Sequence, residues 1–283
     1  MLYNIHSKDL DVTISTAGAE LQSVRFRGTE KLWQNENGSW SGHAPILFPM
    51  GGHCGVTVDG VSYPIPPHGF APSSEFTVTA VSEHEITLTL KDSEATHLCF
   101  PFSFVFSVIY AVHENALSIT YQIQNPSEKT LYTFAGGHES FTLSDPLGTY
   151  SLIFPETEHF LHHFHNAGGY MTGETKDFGK GTRFPIPPEY LQNGDTIIFP
   201  SIRSDFVTLA DQKGDKVLDV IFPGFKNLLL WRPDGANMIC IEPWMNLPDP
   251  ADTEDVPFSE KPNVLSIAPH EELVLPRKLV YYK

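Results

Sequence analysis

The chain has 283 residues, of which 41% are hydrophobic and 18% charged, and its formal net charge is −16 at pH 7. This length can bury a full core, as one large β domain or two ordinary ones, and this balance excludes a disordered chain. The acidic surface repels a phosphate backbone or an anionic bilayer, so neither nucleic acid nor a membrane is an expected partner, whereas a small anionic substrate answers to local arginines.

Residues 1–9 lack a basic start followed by an apolar run, so a cytoplasmic protein without a secretory leader is expected. Strand-like runs follow at 11–16 and 20–26, then a turn-rich stretch over 33–72. Further strands are predicted at 76–81 and 85–91. Phe102, Phe104, Phe106, Val108, Tyr110 and Val112 alternate with smaller residues; a helix would scatter those rings around its circumference. His113-Glu114-Asn115 is a hairpin-sized turn into Leu117, Ile119, Tyr121 and Ile123, and Asn125-Pro126-Ser127 closes that strand. Strands are also read at 150–154, 206–210, 216–222, 227–231, 238–242, 264–268 and 272–275. Between them lie two more turn-rich stretches, 159–193 and 246–263. Long irregular loops in a compact β protein are more often functional than accidental.

No run of ten residues keeps helical spacing unbroken by Gly or Pro, and 21 Gly and 23 Pro punctuate the strands. The pattern is that of an all-β sandwich or barrel with very little helix. No composition boundary and no internal repeat divides the chain, so residues 1–283 are expected to form a single domain. The most apolar stretch, 99–112, is too short and interrupted to span a bilayer. Cys54, Cys99 and Cys240 are odd in number and widely spaced, which argues for reduced thiols in or near the core.

Three short runs place proton-handling side chains beside strands: Pro67-His68-Gly69-Phe70, Gly136-Gly137-His138-Glu139-Ser140-Phe141, and Ile241-Glu242-Pro243-Trp244-Met245-Asn246-Leu247-Pro248-Asp249. Two imidazoles and a carboxylate suffice to move a proton on and off two oxygens of one small polar molecule. Each also has an ordinary structural reading when taken singly. Glu242 can be a strand-end ion pair, and a histidine in a glycine-rich turn can simply be packed there.

In this order the motifs resemble those of the aldose 1-epimerase (galactose mutarotase) family, more closely its compact bacterial branch. Gly18-Ala19-Glu20-Leu21-Gln22-Ser23-Val24, His43-Ala44-Pro45-Ile46-Leu47-Phe48-Pro49, His68-Gly69-Phe70-Ala71, Gly136-Gly137-His138, Leu230-Trp231 and Ile241-Glu242-Pro243-Trp244 carry the likeness. The resemblance implies a galactose-mutarotase-like β-supersandwich with a sugar in an open cleft. It implies His138 as general acid, Glu242 as general base, His68 and Asp195 as ligands of the sugar hydroxyls, and no metal, nucleotide or other cofactor. Trp231 and Trp244 are candidates for stacking on a sugar face, with core packing as the alternative. The implied reaction interconverts the α and β anomers of a hexose, with the small sugar as the partner and a monomer or homodimer as the assembly.

Two departures matter. Relatives usually follow His-Gly-Phe-Ala with an arginine, where this chain has Pro72; they usually carry proline after the motif histidine, where it has Glu139. The first tilts the expected substrate toward a neutral sugar. A hexose-6-phosphate epimerase on the same scaffold would need cleft arginines, for which Arg25, Arg27, Arg183, Arg203 and Arg232 are available. The second puts a negative charge beside His138, which would raise its pKa. A carbohydrate-binding or regulatory protein without catalysis is a further alternative. His159, His162, His163 and His165 also admit a metal-dependent isomerase or dioxygenase, with His163 and His165 on one face if that segment is a strand.

Overall fold

The computed structural model describes residues 1–251, 253 and 255–283. The chain opens with an antiparallel meander of β1 (Leu2–His6), β2 (Leu10–Ser15), β3 (Leu21–Phe26) and β4 (Thr29–Glu30). The loop that follows carries β5 (Ile46–Leu47) and the small hairpin β6 (Val56–Val58) and β7 (Val61–Tyr63). Next come β8 (Thr77–Val81), β9 (Glu85–Lys91), β10 (Val105–His113) and β11 (Ala116–Gln124), with β8–β9, β9–β10 and β10–β11 paired antiparallel. Short strands β12 (Leu131–Thr133), β13 (Gly136–Gly137) and β14 (Ser140–Thr142) lead to a long hairpin, β15 (Ser151–His165) and β16 (Met171–Pro185). The remainder is β17 (Ile197–Phe199), β18 (Phe206–Ala210), β19 (Lys216–Ile221), β20 (Asn227–Trp231), β21 (Met238–Trp244), β22 (Leu265–Ile267) and β23 (Glu272–Tyr281). The α-helix α1 is the single turn Glu94–His97, closed by a Ser93–Thr96 capping box.

A nine-stranded sheet runs β16-β15-β18-β19-β23-β11-β10-β9-β8, and a six-stranded sheet runs β17-β20-β21-β13-β5 with β14 also on β21. The aromatic alternation of β10 explains the layer between them. Phe106, Val108 and Tyr110 turn inward and are buried with Phe48, Phe100, Phe104 and Tyr121. Phe48 stacks on Phe106 at 4.2 Å and meets Phe104 edge-on. Such pairs add about 0.5–1.5 kcal/mol beyond their area burial.

The all-β expectation holds, and β9, β18 and β20 match the expected bounds. Two expectations are corrected. The stretch 159–193, read as turn-rich loop, contains the end of β15 and all of β16. Most β16 residues are exposed, and register shifts interrupt the ladder at three places, so no period-two apolar pattern marks it. β1 also escaped the reading, because only Ile5 of its five residues is buried. Cys54 and Cys240 are buried and Cys99 half-buried, and all three are free thiols.

Candidate active site

β21 is the strand on which the site is built. All seven of its residues are buried, because β20 flanks one edge and β13 and β14 the other. Gly136 pairs with Trp244 and Ser140 with Cys240, so His138, midway between, comes opposite Glu242. His138 Nε2 lies 3.4 Å from Glu242 Oε2, with the two side chains 12% and 1% exposed. Glu242 Oε1 and His138 Nδ1 are buried without a protein hydrogen-bond partner. Buried polar atoms are normally paired, so these two point to a ligand or solvent partner.

The pair forms the floor of a cavity of about 400 Å³. Trp40 stacks on His138 at 5.4 Å, and Trp231 meets both Trp40 and His138 edge-on. His68 stands on another wall, its ring 5.8 Å from His138 and 5.4 Å from Trp244. Its place follows from local backbone chemistry. Gly69 has φ +76°, and a Cβ there would fall 2.1 Å from the Phe48 carbonyl oxygen, so the turn requires glycine. His68 Nδ1 accepts a 3.1 Å hydrogen bond from the Gly52 N–H. That fixes the tautomer with hydrogen on Nε2, leaving Nε2–H as a donor for the cavity.

Burial dominates the protonation of the site. Glu242 is held well above the ordinary carboxylate range by desolvation and then by the nearby Glu139 charge. The Trp244 indole acts in the opposite sense on Glu242. Burial pushes His138 down to about 3 and His68 to about 4. The expectation that Glu139 raises the His138 pKa is therefore corrected: desolvation and then His68 lower it, and the Glu139 carboxylate is engaged by Arg277. With the carboxyl pushed up and the imidazole pushed down, a proton shared by the pair favours Glu242 over His138.

His68, His138, Trp231 and Glu242 thus share one cavity, and Trp244 lines it as well. Asp195 does not join them. It is exposed in the turn before β17, and its neighbour Thr196 lines the wall instead. Pro72 is exposed and outside the lining. Sequence reasoning missed Trp40, His53 and Gly168-Gly169, all of them on the wall. Their only signal was membership of long turn-rich stretches.

The histidine run belongs mostly to the scaffold. His159 pairs with Asp177 at 3.1 Å. His162 Nδ1 accepts from the Ile198 N–H, and His165 Nε2 from the Thr196 N–H, so both hold β17 to β15. The ladder shifts register between His163 and His165, with the extra residues in β16. His165 lines this cavity, while His163 lines a neighbouring one. Cys240 is the other potential ligand type near the pair: its Sγ, a His138 nitrogen and a Glu242 oxygen lie within 4.8 Å of one another. The thiol packs with Trp33, Ala236 and Met238, and burial raises its pKa.

No Lys or Arg lines the cavity among the described residues. Arg27 pairs with Asp9, Arg25 lies 3.7 Å from Glu30, and Arg232 donates to the Leu191 and Ala236 carbonyls. Arg183 and Arg203 are exposed.

The aldose 1-epimerase family model matches residues 1–177, more than half of the chain. The chain belongs to the aldose 1-epimerase family. It is an enzyme of the isomerase class, a sugar epimerase or mutarotase. Among curated proteins it is 28% identical to the chromosomal protein LacX of Lactococcus lactis subsp. lactis over 95% of both chains. Two solved structures superpose on it with a TM-score of 0.90 and 26% identity. One is a galactose mutarotase related enzyme from Lactobacillus acidophilus, matched over 100% of this chain and 98% of that one. The other is a galactose mutarotase-like protein from Lactobacillus casei ATCC 334, matched over 100% of both. The fold of this aldose 1-epimerase family member is accordingly the galactose-mutarotase-like β-supersandwich, and β21 with its two neighbours carries the cleft.

Proposed function

We propose that this enzyme interconverts the α and β anomers of an unphosphorylated hexose, with Glu242 as general base and His138 as general acid. The observation that carries this reading is the buried 3.4 Å contact between His138 and Glu242 at the floor of a sugar-sized cavity. O1 and O5 of a pyranose are bonded to the same carbon, so two side chains in contact with each other reach both oxygens. Sugar hydroxyls that donate to Glu242 favour its ionised form and drive its proton across the short gap to His138. Glu242 then takes the O1 proton while His138 protonates O5, the C1–O5 bond breaks, and an open-chain aldehyde forms. Rotation about C1–C2 and the reverse proton transfers close the ring on the other face. Atoms and protons balance, and the pair ends with the one proton it began with.

His68 Nε2–H supplies a directed hydrogen bond to a hydroxyl, and Trp40 and Trp231 offer apolar faces to the ring. The absence of Lys and Arg from the described lining supports a neutral sugar over a phosphate, which calls for guanidinium or ammonium contacts. The test is anomer exchange across free glucose and galactose and their 6-phosphates, by magnetisation-transfer NMR. The expected order favours the free sugars; a kcat/KM strongly favouring the phosphates overturns the neutral-sugar assignment.

A further inference from the structure

One interior ion pair lies beside the acid–base residues without touching the cavity. Glu139 follows His138 in the chain, and its carboxylate accepts two hydrogen bonds from Arg277, at 2.8 and 2.6 Å. The two side chains are 3% and 2% exposed. Arg277 comes from β23 in the nine-stranded sheet, so this pair joins the two large sheets.

The guanidinium meets the chain on both sides of His138. Arg277 Nη2 donates to the Tyr121 hydroxyl at 2.6 Å, and that hydroxyl donates to the Gly136 carbonyl at 3.1 Å. Arg277 Nη1 occupies the space over Gly137, where a Cβ would fall 1.8 Å away. Beyond His138, the same Arg277 grips the Glu139 carboxylate. The Glu139 carbonyl in turn accepts from the Ile241 N–H, next to Glu242.

We propose that Glu139 and Arg277 are positioning residues for the reaction: they clamp the His138 turn to the opposite sheet, and their opposite charges balance the field in which Glu242 and His138 exchange their proton. This rests on the acid–base reading above. The groups facing Glu242 are few. His138 lies opposite, Cys240 two residues away on β21, and His68 beyond the His138 ring, while β20 presents Leu229 and Trp231. Around Glu139 and Arg277 stand the protonated hydroxyls of Tyr110, Tyr121 and Tyr281. Glu139 and Arg277 are thus the buried, formally charged groups nearest the acid–base pair among these neighbours.

The signs of three variants follow. Glu139→Gln keeps the shape and leaves Arg277 unbalanced, so the field favours ionised Glu242 and the whole pH profile of kcat/KM moves to lower pH. Arg277→Met leaves Glu139 unbalanced and moves the profile to higher pH. A charge a few ångströms away typically displaces a pKa by about one to three units. The double variant removes both charges and returns the profile toward the wild-type position. KM for the sugar is expected to hold while kcat falls in the single variants, since neither side chain lines the cavity.

Profiles that move in opposite directions in the singles and recover in the double support the proposal. Lower activity with an unmoved profile, or shifts in the same direction, overturns it and leaves the pair a structural brace. If Arg277→Met does not fold by circular dichroism, Glu139→Gln against the double variant reads the same shift. Glu242→Gln, measured alongside, separates the two levels. If it retains exchange, the acid–base reading fails; if it is inactive while the profiles stay put, only this proposal fails.

Discussion

Glu242 and His138 are titratable groups whose burial penalises either charge, and that placement sets their protonation. Because burial pushes the carboxyl up and the imidazole down, the pair holds one proton over a wide range and titrates as a unit. In the proposed mechanism the active form is lost on the acid side when a second proton adds to His138, pushed down to about 3, and on the alkaline side when Glu242 gives up the last one. A bell-shaped pH dependence of kcat/KM is therefore expected, with its alkaline limb above the ordinary carboxylate range; a rate that does not fall on either side, after subtraction of buffer catalysis, contradicts it. His138→Ala should lower kcat by at least about 10²-fold with the fold intact. His68→Ala should act on binding instead. Loss of one neutral hydrogen bond, about 0.5–1.5 kcal/mol, raises KM by roughly two- to thirteenfold with little change in kcat. Steady-state kinetics on the two variants check that division.

At the scale of elements, the decisive arrangement is β21 held between β20 and the β13–β14 segment. The sequence showed the apolar strand Met238–Ile241 running into Glu242, and the glycines before His138, because both are local signals. It did not show the partner that makes Gly137 necessary. Arg277 is 140 residues away in the chain, and only the pairing of β11 with β23 brings it under the turn. Gly137→Ala places a methyl against that guanidinium, so it should destabilise the protein by about 1–3 kcal/mol or more, read as a lower denaturant midpoint. The histidine run shows the other limit. The β15–β16 ladder shifts register at three places, which composition does not encode, so alternation alone did not show that His163 and His165 line different cavities. Trp40 was illegible for a different reason: it sits in an irregular loop, where no periodicity relates sequence position to the cavity.

For the whole molecule, burial of imidazoles links stability to pH. His68, His138 and His162 have folded-state pKa values near 4, 3 and 4, below the ordinary value of 6.5. Between about pH 6.5 and 4 the unfolded chain binds more protons at these sites, so stability falls as pH falls through that window; Glu242, shifted upward, contributes in the opposite sense. Urea midpoints across that range should decline toward acid, and His162→Gln, outside the cavity, should flatten the decline. At the same scale, the acidic net charge and the lack of Lys and Arg in the described cavity lining are what the neutral-sugar proposal rests on. The proposed mechanism depends most on Glu242. Anomer exchange of glucose and galactose, measured by magnetisation-transfer NMR with wild-type protein and with folded Glu242→Gln, tests it most directly. The account predicts protein-dependent exchange in the wild type and a loss of at least about 10²-fold in the variant. Equal exchange in the two proteins, or none above buffer with wild type for any hexose tried, would contradict it.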